Sequence, residues 1–224
     1  MSSIGAAVLD CASGMEGGLA SWFKLLSTLL GGDVEALDED AVLQLVERAR
    51  AGERAARQRL YRQHVGRVFR TVRGMLRSNA EAEDVTQDAM LNVLTSLHRY
   101  SPRSGTRFVA WVTAIAVNTA RRRFRRKRPE LTATGELPEV ADPDGDPGDD
   151  LDRARQRAAL LRALAELEPR EREIVSLRYG AELNATEIAA QLKLDAANVR
   201  KILERVRVRL GERIEALADN GVKP

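Results

Sequence analysis

Cysteine is all but missing. Cys11 is the only one among 224 residues, so no internal disulfide can form. The two histidines, His64 and His98, stand far apart without thiol partners, which rules out a metal site of zinc-finger type and leaves both as ordinary helix residues, on the surface or partly buried. The same scarcity fits a reducing cytoplasm. Aromatic residues are 4% of the chain, against 31% charged and 44% hydrophobic. That balance suits small helical domains with Leu, Val, Ile and Ala cores and charged outer faces. Neither charge sign dominates: the net charge is +3, so only the distribution of charge is informative. Long apolar runs are missing too. Leu19–Leu30 (LASWFKLLSTLL), between two Gly-Gly pairs, falls far short of the ~20 residues that span a bilayer. No basic segment precedes it and no clear cleavage site follows, so it does not read as a secretory signal. Residues 1–36 are expected to form a partly disordered extension, and Met15 offers a later start. An amphipathic helix for a partner or membrane is the other reading of Leu19–Leu30, disfavoured by its few Lys and Arg. A Gly-rich phosphate loop, a metal-ligand cluster and a nucleophile beside a base are all lacking, so no catalytic residue, cofactor or small-molecule substrate is expected.

What is present is helical periodicity from Leu37 onward, with strand patterns absent. Asp38 is placed to cap a helix with the stripe Val42, Leu45, Val46 and Ala49, which Gly52 ends. A second helix carries Leu60, Val65, Val68, Phe69, Val72 and Leu76. Ser78 and Glu81 have capping-box spacing for a third, with Val85, Ala89, Val93, Leu94 and Leu97. A polar loop at 100–106 leads to a fourth, with Phe108, Trp111, Val112, Ile115 and Ala116. That helix runs into the basic block Arg121–Arg128 (RRRFRRKR). Residues 129–153 change character: Pro129, Pro138, Pro143 and Pro147 stand among many acids, and 129–152 contain no Lys or Arg. This predicts a flexible, self-repelling linker between an all-α domain at 37–128 and a second one at 154–218.

In the second domain, Leu160, Leu161, Leu164 and Leu167 share a face, and Pro169 opens a helix ending near Tyr179-Gly180. Asn184 and Glu187 pair as a capping box for a short helix with Ile188, Ala189 and Leu192; after a turn at Lys193-Leu194-Asp195, Asp195 caps the last helix. Two helices on so short a turn read as a helix-turn-helix, with the second helix in a DNA major groove. Its outward residues are Ala197, Asn198, Arg200, Lys201, Glu204 and Arg205. Asn pairs with adenine and Arg with guanine, while Lys and the remaining Arg hold phosphates. Arg121–Arg128 is less specific alone, but it ends a helix bearing Phe108 and Trp111, and basic groups beside aromatics suit single-stranded DNA. Core packing is the competing role for these two rings. Asp84, Gln87, Asp88 and Asn92 line one polar face, either simply solvated or a protein-docking surface.

At these residues the chain resembles the bacterial RNA polymerase sigma factors of the extracytoplasmic-function subfamily. Glu83–Met90 (EDVTQDAM) is similar to their polymerase-docking motif, Phe108–Arg122 (FVAWVTAIAVNTARR) to their promoter-melting, −10-reading helix, and Leu164–Leu210 to their −35-reading domain. The likeness covers roughly 37–217. It implies that Asp84, Gln87, Asp88 and Asn92 face the clamp helices of the largest subunit of core polymerase, with a further contact at its flap region. The loop residues Tyr100, Ser101, Arg103, Ser104, Thr106 and Arg107 would capture a flipped −10 base, with Phe108 and Trp111 alongside. Asn118, Thr119, Arg121 and Arg122 would bind nearby DNA, and Arg125 and Arg126 its backbone. Ala197, Asn198, Arg200, Lys201 and Arg205 would contact the −35 element, with Arg172 as a backbone candidate. An anti-sigma factor is a further implied partner. Met90 stands where the family has an aromatic, Asn198 where Thr is common and Arg200 where Lys is common. The expectation is a non-enzymatic, cytoplasmic initiation factor that binds polymerase and promoter DNA; the alternative is a free-standing helix-turn-helix regulator that does not engage polymerase.

Overall fold

Several helices start where a side chain satisfies the free amides of the first turn, although those opening at Arg54 and Pro169 begin without one. Asp38 accepts from Ala41 N at 2.7 Å, Ser78 from Glu81 N at 3.5 Å, and Asp195 from Ala197 N at 2.7 Å and Asn198 N at 3.2 Å. In this computed structural model, residues 37–76, 78–102, 106–131 and 160–219 are described; the Leu19–Leu30 segment and most of the acidic stretch lie outside them. The described elements are helical: α1 Glu39–Arg50, α2 Arg54–Met75, α3 Asn79–Ser96 with a 3-10 turn at Leu97–Arg99, and α4 Phe108–Leu131. Beyond the acidic stretch come α5 at 160–165, α6 Pro169–Val175, a π turn at Ser176–Gly180, α7 Ala185–Leu192 and α8 Ala196–Asp219. Helix α4 runs on to Leu131, past the expected boundary at Pro129. A proline in a final turn removes only one backbone hydrogen bond, which a 24-residue helix tolerates at its end.

The apolar stripes meet as the periodicity demands. Val46, Leu60, Val68, Val72, Val85, Val93, Phe108 and Val112 are fully buried among α1–α4. Leu160, Leu164, Leu167, Val175, Val206 and Leu210 form a smaller core of α5, α6 and α8. Between them Ile174, Leu177, Leu183 and Ile188, all fully buried, continue the first core instead of closing a separate one. Each contributes roughly 1.5–3 kcal/mol by leaving water. The two helical regions are therefore joined by shared apolar packing.

Two glycines permit that junction. A β-carbon at Gly180 would stand 2.8 Å from the N and Cα of Thr71, and one at Gly74 would stand 2.5 Å from Ser176 Oγ. Helix α2 and the π turn thus touch backbone to backbone.

His64 is buried on α2, edge-on to Phe108 at 5.1 Å, and neither ring nitrogen has a hydrogen-bond partner. Burial, reinforced by the Arg67 charge, pushes its pKa down from 6.5 to about 4. The folded state holds this imidazole neutral while the unfolded chain protonates it near 6.5, so stability is lost as pH falls between those values. Urea denaturation at pH 7 and pH 5 is expected to show His64→Leu losing about 2 kcal/mol less than the wild type over that interval. Equal losses would contradict the neutral, buried imidazole.

Candidate nucleic-acid and protein interfaces

The helix-turn-helix is built by local chemistry. Asn184 Oδ1 accepts from Glu187 N at 2.9 Å while Glu187 Oε2 accepts from Asn184 N at 2.8 Å, completing the expected capping box of α7. Lys193 ends α7 in the left-handed region at φ 55°, and Leu194 N donates to Ala189 O at 2.9 Å. This sharp turn brings α8 across α7 over buried Ala189, with Val199 and Val206 turned inward. Ala197, Asn198, Arg200, Lys201, Glu204 and Arg205 are all exposed on the opposite face. Arg205 and Arg209 reach the buried Glu171 carboxylate at 3.1 and 2.5 Å. Burial works against that carboxylate, but its hydrogen bonds and attraction to the two arginines outweigh it and hold its pKa below the ordinary value.

Arg172 does not join this face. Its guanidinium donates to the carbonyls of Leu164 (2.9 Å), Ala165 (2.6 Å) and Leu167 (2.9 Å), closing the C-terminal end of α5. Free helix-end carbonyls attract a cation, and Arg172 is committed to them. Its placement as a DNA-backbone contact is thereby corrected.

The loop before α4 brings a second group together. Glu39 of α1 accepts from Phe108 N at 2.5 Å, so one helix caps another. Phe108 is fully buried and Tyr100 is 4% exposed; with half-buried Trp111 their ring centroids lie 4.9–5.5 Å apart. This corrects the expectation that Tyr100 and Phe108 face DNA: the rings sit on the inward stripe and form the core that positions the loop. Ser101, Thr106, Arg107, Asn118, Arg122 and Arg125 are exposed, and Thr119 is half-buried with its hydroxyl donating to Ile115 O at 2.8 Å. Arg103 and Ser104 lie outside the described residues, and of Arg126 only its place in α4 is described.

Two of these cations are already paired. Arg107 donates to Glu187 at 2.7 and 2.8 Å and to Glu182 O at 3.0 Å, and Arg121 forms an ion pair with Glu173 at 2.6 Å. Burial alone would raise the Glu187 carboxyl; the Arg107 and Asn184 hydrogen bonds hold it below its ordinary value. An open cleft of about 330 Å³ lies at this junction, lined by residues that include Glu39, Tyr100, Thr106, Arg107 and Glu187.

On α3, Asp84, Gln87, Asp88 and Asn92 are all exposed on one face. Leu91 stands among them at 63% exposure, a residue the polar pattern concealed. An apolar side chain one turn beyond Gln87 and Asp88 was the available signal. Asp84 is joined to Arg123 of α4 at 3.4 Å, both groups being well exposed.

Residues 60–130 match the family Sigma-70 region 2, and residues 163–212 match Sigma-70, region 4. The chain is 36% identical over 171 residues to RNA polymerase sigma factor CarQ of Myxococcus xanthus, covering 75% of this chain and 96% of CarQ. It is 34% identical over 157 residues to ECF RNA polymerase sigma factor BldN of Streptomyces coelicolor, covering 69% of this chain and 59% of BldN. Two solved structures share the fold. The sigma factor RpoE of Bartonella quintana, crystallised with the anti-sigma factor NepR, aligns with a TM-score of 0.60 and 18% identity over 70% of this chain and 96% of that one. CnrH, solved with the cytosolic domain of CnrY, aligns with a TM-score of 0.55 and 23% identity over 77% and 96%. No helix among the described residues is long and apolar enough to cross a membrane.

Because Arg172 caps α5, Arg172→Ala is expected to cost about 1–3 kcal/mol of stability by stripping carbonyls of their donor. Duplex affinity of the still-folded variant should be unchanged. Thermal unfolding alongside fluorescence anisotropy on DNA checks this; normal stability with weakened DNA binding would restore the phosphate role.

Proposed function

The chain belongs to the extracytoplasmic-function sigma factors of bacterial RNA polymerase, and on that premise we propose that it binds core polymerase in the cytoplasm, directs it to specific promoters and helps open the duplex without covalent chemistry. The observation that carries this reading is the pairing of an exposed basic helix-turn-helix face with a second basic helix, α4, and a third, acidic face on α3. A duplex-binding regulator uses the first alone; an initiation factor uses all three.

In this reading, Asn198, Arg200, Lys201 and Arg205 contact the −35 element, with Asn and Arg suited to base edges and Lys to phosphate. Arg107, Asn118, Arg121, Arg122 and Arg125 hold the −10 region. Binding an unstacked base there offsets the few kcal/mol that extrusion costs. Asp84, Gln87, Asp88 and Asn92 dock on the polymerase clamp helices, with exposed Leu91 as the apolar centre of a polar ring, the arrangement typical of protein interfaces. The flap region is a second polymerase contact, for the helix-turn-helix domain. A protein antagonist of the anti-sigma type is a further proposed partner, supported by the RpoE structure, which was solved with one.

Run-off transcription with core polymerase on genomic DNA tests the reading, with start sites mapped. Promoter-specific transcripts are expected; their absence, or failure to retain core polymerase in a pull-down, would leave a free-standing regulator. Arg200→Ala is expected to cost ~1–3 kcal/mol at the −35 sequence and little on unrelated duplexes. An equal loss on every sequence would make Arg200 a phosphate contact. Asp84→Arg is expected to weaken polymerase binding while sparing −35 duplex affinity. Unchanged polymerase affinity would remove Asp84 from the docking face.

A further inference from the structure

Arg205, Arg209 and Arg213 follow one another at four-residue spacing along α8. Like charges so placed share a helix face and repel. Each meets an acid: Glu171 Oε1 lies 3.1 Å from Arg205 and Glu171 Oε2 lies 2.5 Å from Arg209, while Glu166 lies 2.7 Å from Arg213. The two acids differ in burial. The Glu166 side chain is 50% exposed and that of Glu171 only 10%. An exposed pair such as Arg213–Glu166 contributes little. A buried ion pair is commonly no more stabilising than apolar side chains of similar volume, so stability alone gives no reason for an acid at 171. Its partner Arg205 nevertheless keeps 63% of its side chain exposed. By helical spacing Arg205 stands on the side of α8 that carries Asn198 and Lys201.

We propose that Glu171 is a positioning residue for −35 recognition, holding Arg205 extended toward the duplex while Arg209 anchors the carboxylate from the next turn. This rests on the −35 reading of α8 given above. Glu171 itself is buried and touches no DNA. A free arginine side chain samples many rotamers, and ordering it at an interface weakens binding. With one N–H on Glu171, Arg205 is ordered when the protein folds. Its planar guanidinium keeps further N–H groups for a base edge or a phosphate. A carboxylate beside a DNA face also repels phosphates, and does so on every sequence alike. The two effects have opposite signs and different sequence dependence, which separates positioning from plain charge.

Glu171→Gln keeps the shape of the side chain and removes its charge; Glu171→Met, which removes the acceptors as well, serves should the first variant not fold. The full-length chain is titrated by fluorescence anisotropy against two probes: the −35 duplex of a promoter mapped by run-off transcription, and the same duplex with its −35 sequence scrambled. Either Glu171 variant is expected to bind the −35 duplex about threefold to tenfold more weakly, the loss attached to one long side chain that must be ordered on binding. The scrambled duplex should be bound as tightly as by the wild type, or more tightly. Glu166→Gln removes the same charge from the exposed end of the arginine stripe and is expected to leave the ratio between the two duplexes unchanged. A second readout is the Arg205→Ala background, in which Glu171→Gln should cost no further −35 affinity. A merely structural role predicts instead that both duplexes weaken by the same factor. That outcome, or a Glu171→Gln loss that persists undiminished without Arg205, would overturn the proposal. A wild type that discriminates between the duplexes independently of Glu171 sinks the positioning role alone. A wild type that yields no promoter-specific transcripts, or binds both duplexes equally, sinks the reading beneath it.

Discussion

Where α2 meets the π turn, Gly180 occupies a space that has no room for one more carbon. Most of what distinguishes this molecule from two helical domains on a string depends on that contact. With the Thr71 backbone against Gly180, Ile174, Leu177 and Ile188 reach the core of α1–α4. Withdraw it, and those side chains would have to be covered by something else. Packed interiors do not deform continuously, so a junction of this kind is either made or broken. The π turn is part of the same solution. Ala181 N donates to Ser176 O at 3.2 Å, which widens the helix at the point where it must lie flat on its neighbour.

Charge then settles orientation. The net charge of +3 conceals a separation: arginines crowd α2 and α4, and the acids that answer them sit on the helix-turn-helix region. Glu187 serves twice, completing the capping box of α7 and receiving Arg107. Local folding of the helix-turn-helix therefore fixes in advance the position of one acid that the other region meets. Exposed pairs of this kind are weak in water and screened by salt. In the Arg107–Glu187 and Arg121–Glu173 pairs the acid is the buried partner, whereas at Glu182 the buried partner is Arg70.

The helices were legible because their determinants are local. Asp38, Ser78, Asn184 and Asp195 each cap the helix their spacing predicts, and the stripes Val42–Ala49 and Val85–Val93 face inward. The exposed face of α8 was legible for the same reason, since Val199 and Val206 fix its inner side. Tyr100 and Phe108 misled because a ring on an amphipathic helix reads equally as core or as stacking platform, and only the tertiary neighbours decide. Arg172 misled because a cation near a predicted DNA face gives no sign that three carbonyls already hold it. The joining of the two regions was invisible. It depends on Gly74 and Gly180, more than a hundred residues apart, and on acids whose partners lie on the other side of the acidic stretch in sequence; no spacing rule connects such positions.

The carboxylate of Glu39 at the start of α4 sets a limit of a different kind. It belongs to α1, ahead of the first residue matched by Sigma-70 region 2, yet it holds the first free amide of the helix that carries the basic block. A helix start left uncapped loses about 0.5–2 kcal/mol. A fragment trimmed to the residues matched by Sigma-70 region 2 would keep every arginine of α4 and lose the group that begins it. In this chain the span matched by Sigma-70 region 2 is shorter than the unit that folds, and α1 lies in the difference.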